Sequence, residues 1–235
     1  MGVEDKIWHV REVMAEAARR SGRPPEAIRL MAVTKTVDDD RIRAAMKAGV
    51  EIIGENYVQE AKRKIELLGK SGEWHLIGPL QTNKAKVAVR LFDMIHSVDR
   101  PELAAELDRR ARAAGRVVPI LVEVNISGEA SKSGVPPHST LELIRRIAPL
   151  ENLSIRGLMT MPPWFDDPEE SRPYFRALRE LRDRIAAEAV PRVAMRELSM
   201  GMTDDYAVAI EEGATIVRIG RGIFGEREEG KEQQR

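Results

Sequence analysis

The sequence predicts a single α/β domain closed as a (β/α)8 TIM barrel. Three observations lead there. Apolar runs of strand length alternate with amphipathic stretches of helical period along the chain, as in a parallel sheet covered by helices. Eight such runs fall within 235 residues, and a barrel of this kind occupies about 250. Polar residues and glycines gather just after the runs, at the rim where barrels carry their chemistry. An open doubly wound sheet is the alternative. The domain is expected over 1–226, with a polar tail at 227–235.

An extra helix comes first. Val3, Ile7, Val10, Met14 and Ala17 recur at helical spacing until Ser21-Gly22-Arg23-Pro24-Pro25 stops them. The first strand is expected over Ile28–Lys35, and Asp38-Asp39-Asp40 suits the positive end of the next helix, which closes at Gly49. Val50–Ile53 is the second strand, followed by a charged helix to Leu68. Glu73–Ile77 is the third, with Asn83 placed to cap a helix ending at Leu91. Met94–Ser97 is the fourth; Asp99-Arg100-Pro101-Glu102 then resembles a capping box before a helix ending at Gly115. Val117–Val124 is the fifth, and a loop with Gly128, Ser131, Ser133 and Gly134 leads to a helix near Leu141–Ile147. Leu153–Leu158 is the sixth, with a long charged helix over Glu169–Glu188. Met195–Leu198 is the seventh, with a helix closing at Gly213. Thr215–Ile219 is the eighth, followed by a terminal turn.

Composition narrows the function. Lysine plus arginine equals aspartate plus glutamate at 38 each. That balance argues against nonspecific binding to nucleic acid or to an anionic membrane. No apolar run approaches the ~18 residues of a membrane span. There is no cysteine, which excludes disulfides and thiolate chemistry and fits a cytoplasmic protein. No H-E-x-x-H, EF-hand loop or G-x-S-x-G occurs, so metal and serine-hydrolase readings lack support.

The strand ends supply the candidates. Lys35 closes the first strand. Burial of its ammonium would lower its pKa and make a nucleophile toward carbonyls; the other reading is a lysine that snorkels to water. Ser199-Met200-Gly201-Met202-Thr203 sets two hydroxyls around a glycine at a helix start, an anion candidate that Asp204 and Asp205 would oppose unless they face away. The other reading is a plain Thr203 cap. Gly220-Arg221-Gly222-Ile223-Phe224-Gly225 matches G-x-G-x-x-G, but it stands too near the end for a dinucleotide unit. Its glycines suit either a phosphate or a tight turn. Arg218 is read as a ligand contact or as half of an ion pair, His75 as a satisfied core histidine, and Glu123 as a carboxylate paired with Arg218 or Lys35.

The motifs also carry a resemblance. Ala32-Val33-Thr34-Lys35, Gly54-Glu55-Asn56-Tyr57-Val58-Gln59-Glu60, the segment from Trp74 to Lys84, His96-Ser97-Val98-Asp99, Gly157-Leu158-Met159-Thr160-Met161 and Leu198 to Asp205 stand in collinear order with Arg218-Ile219-Gly220 and Ile223-Phe224-Gly225. Together they resemble the YggS/PROSC family of pyridoxal-phosphate homeostasis proteins. The departures are Thr203, where serine is commoner, Arg221, where smaller residues are common, and Pro79.

The resemblance implies a barrel like the N-terminal domain of alanine racemase, PLP fold type III. It implies that Lys35 forms an internal aldimine with pyridoxal 5′-phosphate (PLP). Ser199, Gly201, Thr203 and the Gly220-Arg221-Gly222 backbone would hold the phosphate, Arg218 would meet the pyridine nitrogen, and Asn56 and Met200 would line the site. An arginine at that nitrogen weakens the ring as an electron sink. A racemase of this fold also draws a tyrosine base from a second domain, and none of Tyr57, Tyr174 and Tyr206 lies in a comparable segment. The expected function is therefore carriage of PLP within vitamin B6 and amino-acid homeostasis, without efficient turnover. PLP-requiring apo-enzymes are the expected partners, and the chain is expected as a monomer or weak dimer. A weak PLP-dependent amino-acid racemase, or a cofactor-free Schiff-base aldolase using Lys35, are the alternatives.

Overall fold

A computed structural model describes residues 2–129 and 132–226. Ser131 and the tail at 227–235 lie outside the described residues. Helix α1 (Val3–Arg20) leads, burying Ile7, Val10, Met14, Ala17 and Ala18 on one stripe. Strand–helix units follow: β1 (Arg29–Val33) and α2 (Asp39–Lys47), β2 (Ile52–Glu55) and α3 (Val58–Leu68), β3 (Glu73–Leu76) and α4 (Ala85–Leu91), β4 (Met94–Val98) and α5 (Pro101–Ala113). The second half holds β5 (Val118–Glu123) and α6 (Thr140–Ile147), β6 (Leu153–Met159) and α7 (Arg172–Ala187), β7 (Val193–Ser199) and α8 (Tyr206–Glu211), then β8 (Ile216–Ile219) and the short α9 (Arg221–Phe224). The strands pair in parallel in the order β1 to β8, and β8 closes on β1. The barrel expected from the sequence is the one observed. Among the described residues no helix is long and apolar enough to cross a membrane.

Several boundaries differ from expectation for local reasons. β1 stops at Val33, because the chain turns at Thr34–Thr36, where Thr36 takes the left-handed φ of 62°. β2 runs on to Glu55 because Gly54 and Glu55 still pair with β3. Asn83 caps nothing: it lies inside a 3-10 turn, Thr82–Lys84, ahead of α4. The box at Asp99 does not form either. Arg100 stands at the cap of α5 without a side-chain capping bond, and its guanidinium instead donates to Asp99 at 2.6 Å. Thr203 is not a cap; Asp205 takes that place in α8. The long charged helix opens with a 3-10 turn at Pro168–Ser171.

Side chains alternate across each strand, and this sorts the core. Leu30 and Ala32 of β1 join the large cluster beneath the helices, with Ile53, Trp74 and Leu198. Met31 packs inside the barrel with Ile52 and Ile216, and Met94, Leu121 and Met159 form a second interior cluster. Each aliphatic side chain so buried is worth about 1.5–3 kcal/mol. Gly157 lets β6 approach β7: a Cβ there would stand 1.9 Å from the Glu197 carbonyl oxygen. The interior is not wholly apolar, because the inner face also carries Glu73, His75, His96, Ser199 and Arg218.

Candidate functional site

The inner-face positions of β1 are Arg29, Met31 and Val33, and the next position in that register is Lys35, half-buried in the turn above the strand. Its neighbours are held from outside the barrel. Lys64 of α3 is fully buried and donates to the Thr34 carbonyl at 2.5 Å, to Glu55 at 2.7 Å and to Glu60 at 2.7 Å. Glu55 also accepts the Thr34 hydroxyl at 2.5 Å, and Glu60 accepts the Thr36 backbone N–H at 2.7 Å. Burial pushes the Glu55 carboxyl up, with Lys64 opposing. A left-handed threonine costs about 1–2 kcal/mol, so this ion cluster fixes a turn that the backbone resists.

Arg218 of β8 is the other fixed cation, 3% exposed. It stands opposite Met31 in the β1–β8 register. Its guanidinium donates to Ser199 Oγ at 2.8 Å and to the Thr160 carbonyl at 2.8 Å. Burial lowers its pKa to about 10, so it keeps its charge near neutral pH. Below it runs a column of polar groups. Ser199 Oγ lies 3.0 Å from His96 Nδ1, His96 Nε2 lies 3.0 Å from His75 Nδ1, and His75 Nε2 lies 3.0 Å from Glu73. Arg29 closes the lower end by donating to Glu73 at 2.7 Å. The bond from His75 first, and Arg29 after it, hold Glu73 down to about 2. Burial lowers both histidine pKa values, that of His96 the further.

Two loops flank this cation. The β7–α8 loop carries Gly201 and Thr203, and at the β8–α9 junction Gly220 is the cap while Arg221 and Gly222 open α9. They touch where the Gly222 N–H donates to Thr203 Oγ1 at 3.2 Å. Gly201 admits no larger residue, Gly222 is tight, and Gly220 has room. A Cβ on Gly201, whose φ is 90°, would meet Ala209 Cβ at 2.5 Å, and one on Gly222 would meet Ile219 Cγ2 at 3.0 Å. The two aspartates beside the anion candidate are both engaged. Asp204 is paired with Arg221, and Asp205 accepts the Met202 N–H at 2.6 Å.

Lys35, Arg218, Ser199 and the glycine loops thus share one end of the barrel. Asn56 follows β2 at the same rim, and Gly78 packs on its backbone: a Cβ there would meet the Asn56 carbonyl oxygen at 2.4 Å. Met200 is fully buried and packs in the cluster beneath the helices, one residue out of the inward register of Ser199. Glu123 lies on the inner face two residues above Leu121, and burial pushes it up to about 7, with Asp99 adding to the rise and Arg218 opposing it. Sequence reasoning assigned no role to Lys64, Glu55 or Glu60. The i,i+4 pair Glu60–Lys64 reads as an exposed helix salt bridge, and only tertiary packing buries it. His96 carried a signal that was available: it stands two residues from inward-facing Met94.

The family model for the alanine racemase N-terminal domain matches residues 9–228. The chain is 46% identical over 228 residues to the pyridoxal phosphate homeostasis protein of Aquifex aeolicus, covering 97% of this chain and 99% of that one. The structure of PipY from Synechococcus elongatus with PLP bound superposes with a TM-score of 0.79 at 36% identity, covering 90% of this chain and all of that one. An alanine racemase of Clostridium difficile shares the fold alone, with a TM-score of 0.72 at 14% identity over 95% of this chain and 57% of its own. By full-length likeness, this chain belongs to the family of pyridoxal phosphate homeostasis proteins, built on the alanine racemase N-terminal domain.

Proposed function

We propose that this protein binds PLP through Lys35 and carries it as part of vitamin B6 homeostasis, without efficient turnover. The carrying observation is that Lys35 stands in the turn directly above β1 and Arg218 lies on the inner face of the adjacent strand β8, beside two glycine-bearing segments joined through Thr203. The donor set fits the group. An amine suits an aldehyde, a buried guanidinium suits a pyridine nitrogen, and a glycine-bearing helix start beside the Thr203 hydroxyl suits phosphate oxygens. Lys35 would hold the cofactor covalently, Thr203 with the Gly220–Gly222 backbone would hold the phosphate, and Asn56 would border the ring. Bound PLP supplies an electron sink for carbanion chemistry. Arg218 stays charged near neutral pH, and a cation at the ring nitrogen disfavours its protonation and weakens that sink.

The relatives support this reading by name, and PipY was solved with PLP bound. The test is the absorption spectrum before and after adding PLP, followed by borohydride reduction and peptide mapping. A new visible band and an adduct on Lys35 are expected, and both vanish in Lys35→Ala. An adduct confined to another lysine overturns the site. Sustained racemisation of an amino acid overturns carriage in favour of a racemase.

A further inference from the structure

The polar column contains three links between Glu73 and Ser199: Glu73 to His75, His75 to His96, and His96 to Ser199. Each link needs one hydrogen. The ends are fixed, because a carboxylate only accepts and the Arg218 guanidinium only donates. Two neutral imidazoles and one hydroxyl provide three hydrogens, one per link. All must then point the same way. His75 Nε2–H donates to Glu73, which leaves His75 Nδ1 bare to accept from His96 Nε2–H. His96 Nδ1 is then bare and accepts the Ser199 hydroxyl. The lone pair of Ser199 faces Arg218.

Two cationic arrangements also satisfy the count, and in one of them a doubly protonated His96 donates to both His75 and Ser199 while His75 donates to Glu73. In the other, a doubly protonated His75 would donate to both Glu73 and His96, and His96 Nδ1–H would donate to Ser199. In both the serine hydrogen would be released. The surroundings oppose both: the two rings are fully buried, Arg29 bonds the carboxylate that would balance a charge on His75, and Arg218 shares Ser199 Oγ with His96 and would repel a charge there.

We propose that Ser199 is a positioning residue for Arg218 and not a hydrogen-bond donor to the phosphate, because Glu73, His75 and His96 fix its hydroxyl hydrogen toward the barrel floor. The guanidinium is thereby aimed by two acceptors, Ser199 Oγ and the Thr160 carbonyl, and the hydroxyl left for the phosphate loop is Thr203. The tautomers stand independently of any ligand; the role toward PLP rests on the function proposed above.

Nitrogen-15 NMR of histidine-labelled full-length protein without PLP tests the first part. With four histidines in the chain, His75→Gln and His96→Gln assign the signals. Both buried rings are expected neutral and protonated at Nε2. A proton on His96 Nδ1, or a cationic His75, overturns the proposal. The second part compares Ser199→Ala with the parent for PLP and for pyridoxal, which lacks the phosphate. Loss of a bond to a charged group is expected to weaken both by the same factor, about tenfold or more. A loss confined to PLP overturns it. If the parent binds neither, the function proposed above fails while the NMR result still stands.

Discussion

Lys64 Nζ lies 2.5 Å from the carbonyl oxygen of Thr34, the residue preceding the proposed cofactor lysine. The contact ties a helix on the outside of the barrel to the turn that presents Lys35 on the inside. Glu55 and Glu60 complete the cluster, and one oxygen of Glu55 is buried without a hydrogen-bond partner.

Lys64→Met removes the cation and leaves Glu55 buried without the ammonium that pairs with it. Breaking a buried pair from one side costs about 3–5 kcal/mol. Urea unfolding is expected to show a loss of that order, and Lys64→Met combined with Glu55→Gln is expected to recover part of it. A single variant within 1 kcal/mol of the parent would contradict the role of the cluster; that threshold is roughly the worth of a surface pair.

Glu60→Ala acts on the same turn more gently. It deletes the acceptor of the Thr36 N–H and leaves the left-handed threonine unsupported. Amide exchange at Thr36 is expected to accelerate about tenfold, the equivalent of one lost hydrogen bond. PLP attachment is expected to slow, since the lysine spends less time in its productive pose. Exchange at the parent rate would remove Glu60 from the account.

Gly78→Ala is expected to spare the fold and injure the site. The added methyl falls 2.4 Å from the Asn56 carbonyl oxygen, so the Asn56 segment must move. PLP titration is expected to show affinity down tenfold or more, a cost of about 1.4 kcal/mol, with the far-ultraviolet circular dichroism unchanged. Undiminished affinity would detach Asn56 from the site.

Glu123 links stability to pH. Its pKa rises to about 7 on folding, from about 4.3 in an unfolded chain. The folded state therefore holds a proton that the unfolded state has lost. The stability this contributes is complete below pH ~4 and is lost as pH rises through about 7. Glu123→Gln keeps the neutral form at every pH. Above pH 7 the variant is expected to be more stable than the parent by about 3–4 kcal/mol, with the gap closing toward pH 4. A gap independent of pH would mean that the carboxyl titrates normally.

The sequence exposed the frame of the molecule more readily than its interior wiring. Strand spacing, and the apolar runs closed by Lys35, Ser199 and Arg218, were enough to place those residues at one rim. Caps were less legible. Asp99 and Asn83 have the right residue types, but Asp99 pairs with Arg100 and Asn83 sits in a 3-10 turn. Lys64 was illegible because its burial comes from β1 and β2, distant in the chain. His75 was correctly read as a satisfied interior histidine, yet its partner His96 lies 21 residues on, and local pattern says nothing about contacts at that range.

Trp164 stands two-thirds exposed, and its indole N–H reaches Asp204 at 3.4 Å, the carboxylate already clasped by Arg221. Any guest that drew Arg221 toward itself would unbalance that carboxylate and alter the polarity felt by the indole. Trp74, sealed in the wall with 0% exposure, would scarcely notice. Of the three tryptophans, Trp164 is therefore the one placed to report such a displacement of Arg221 by its fluorescence.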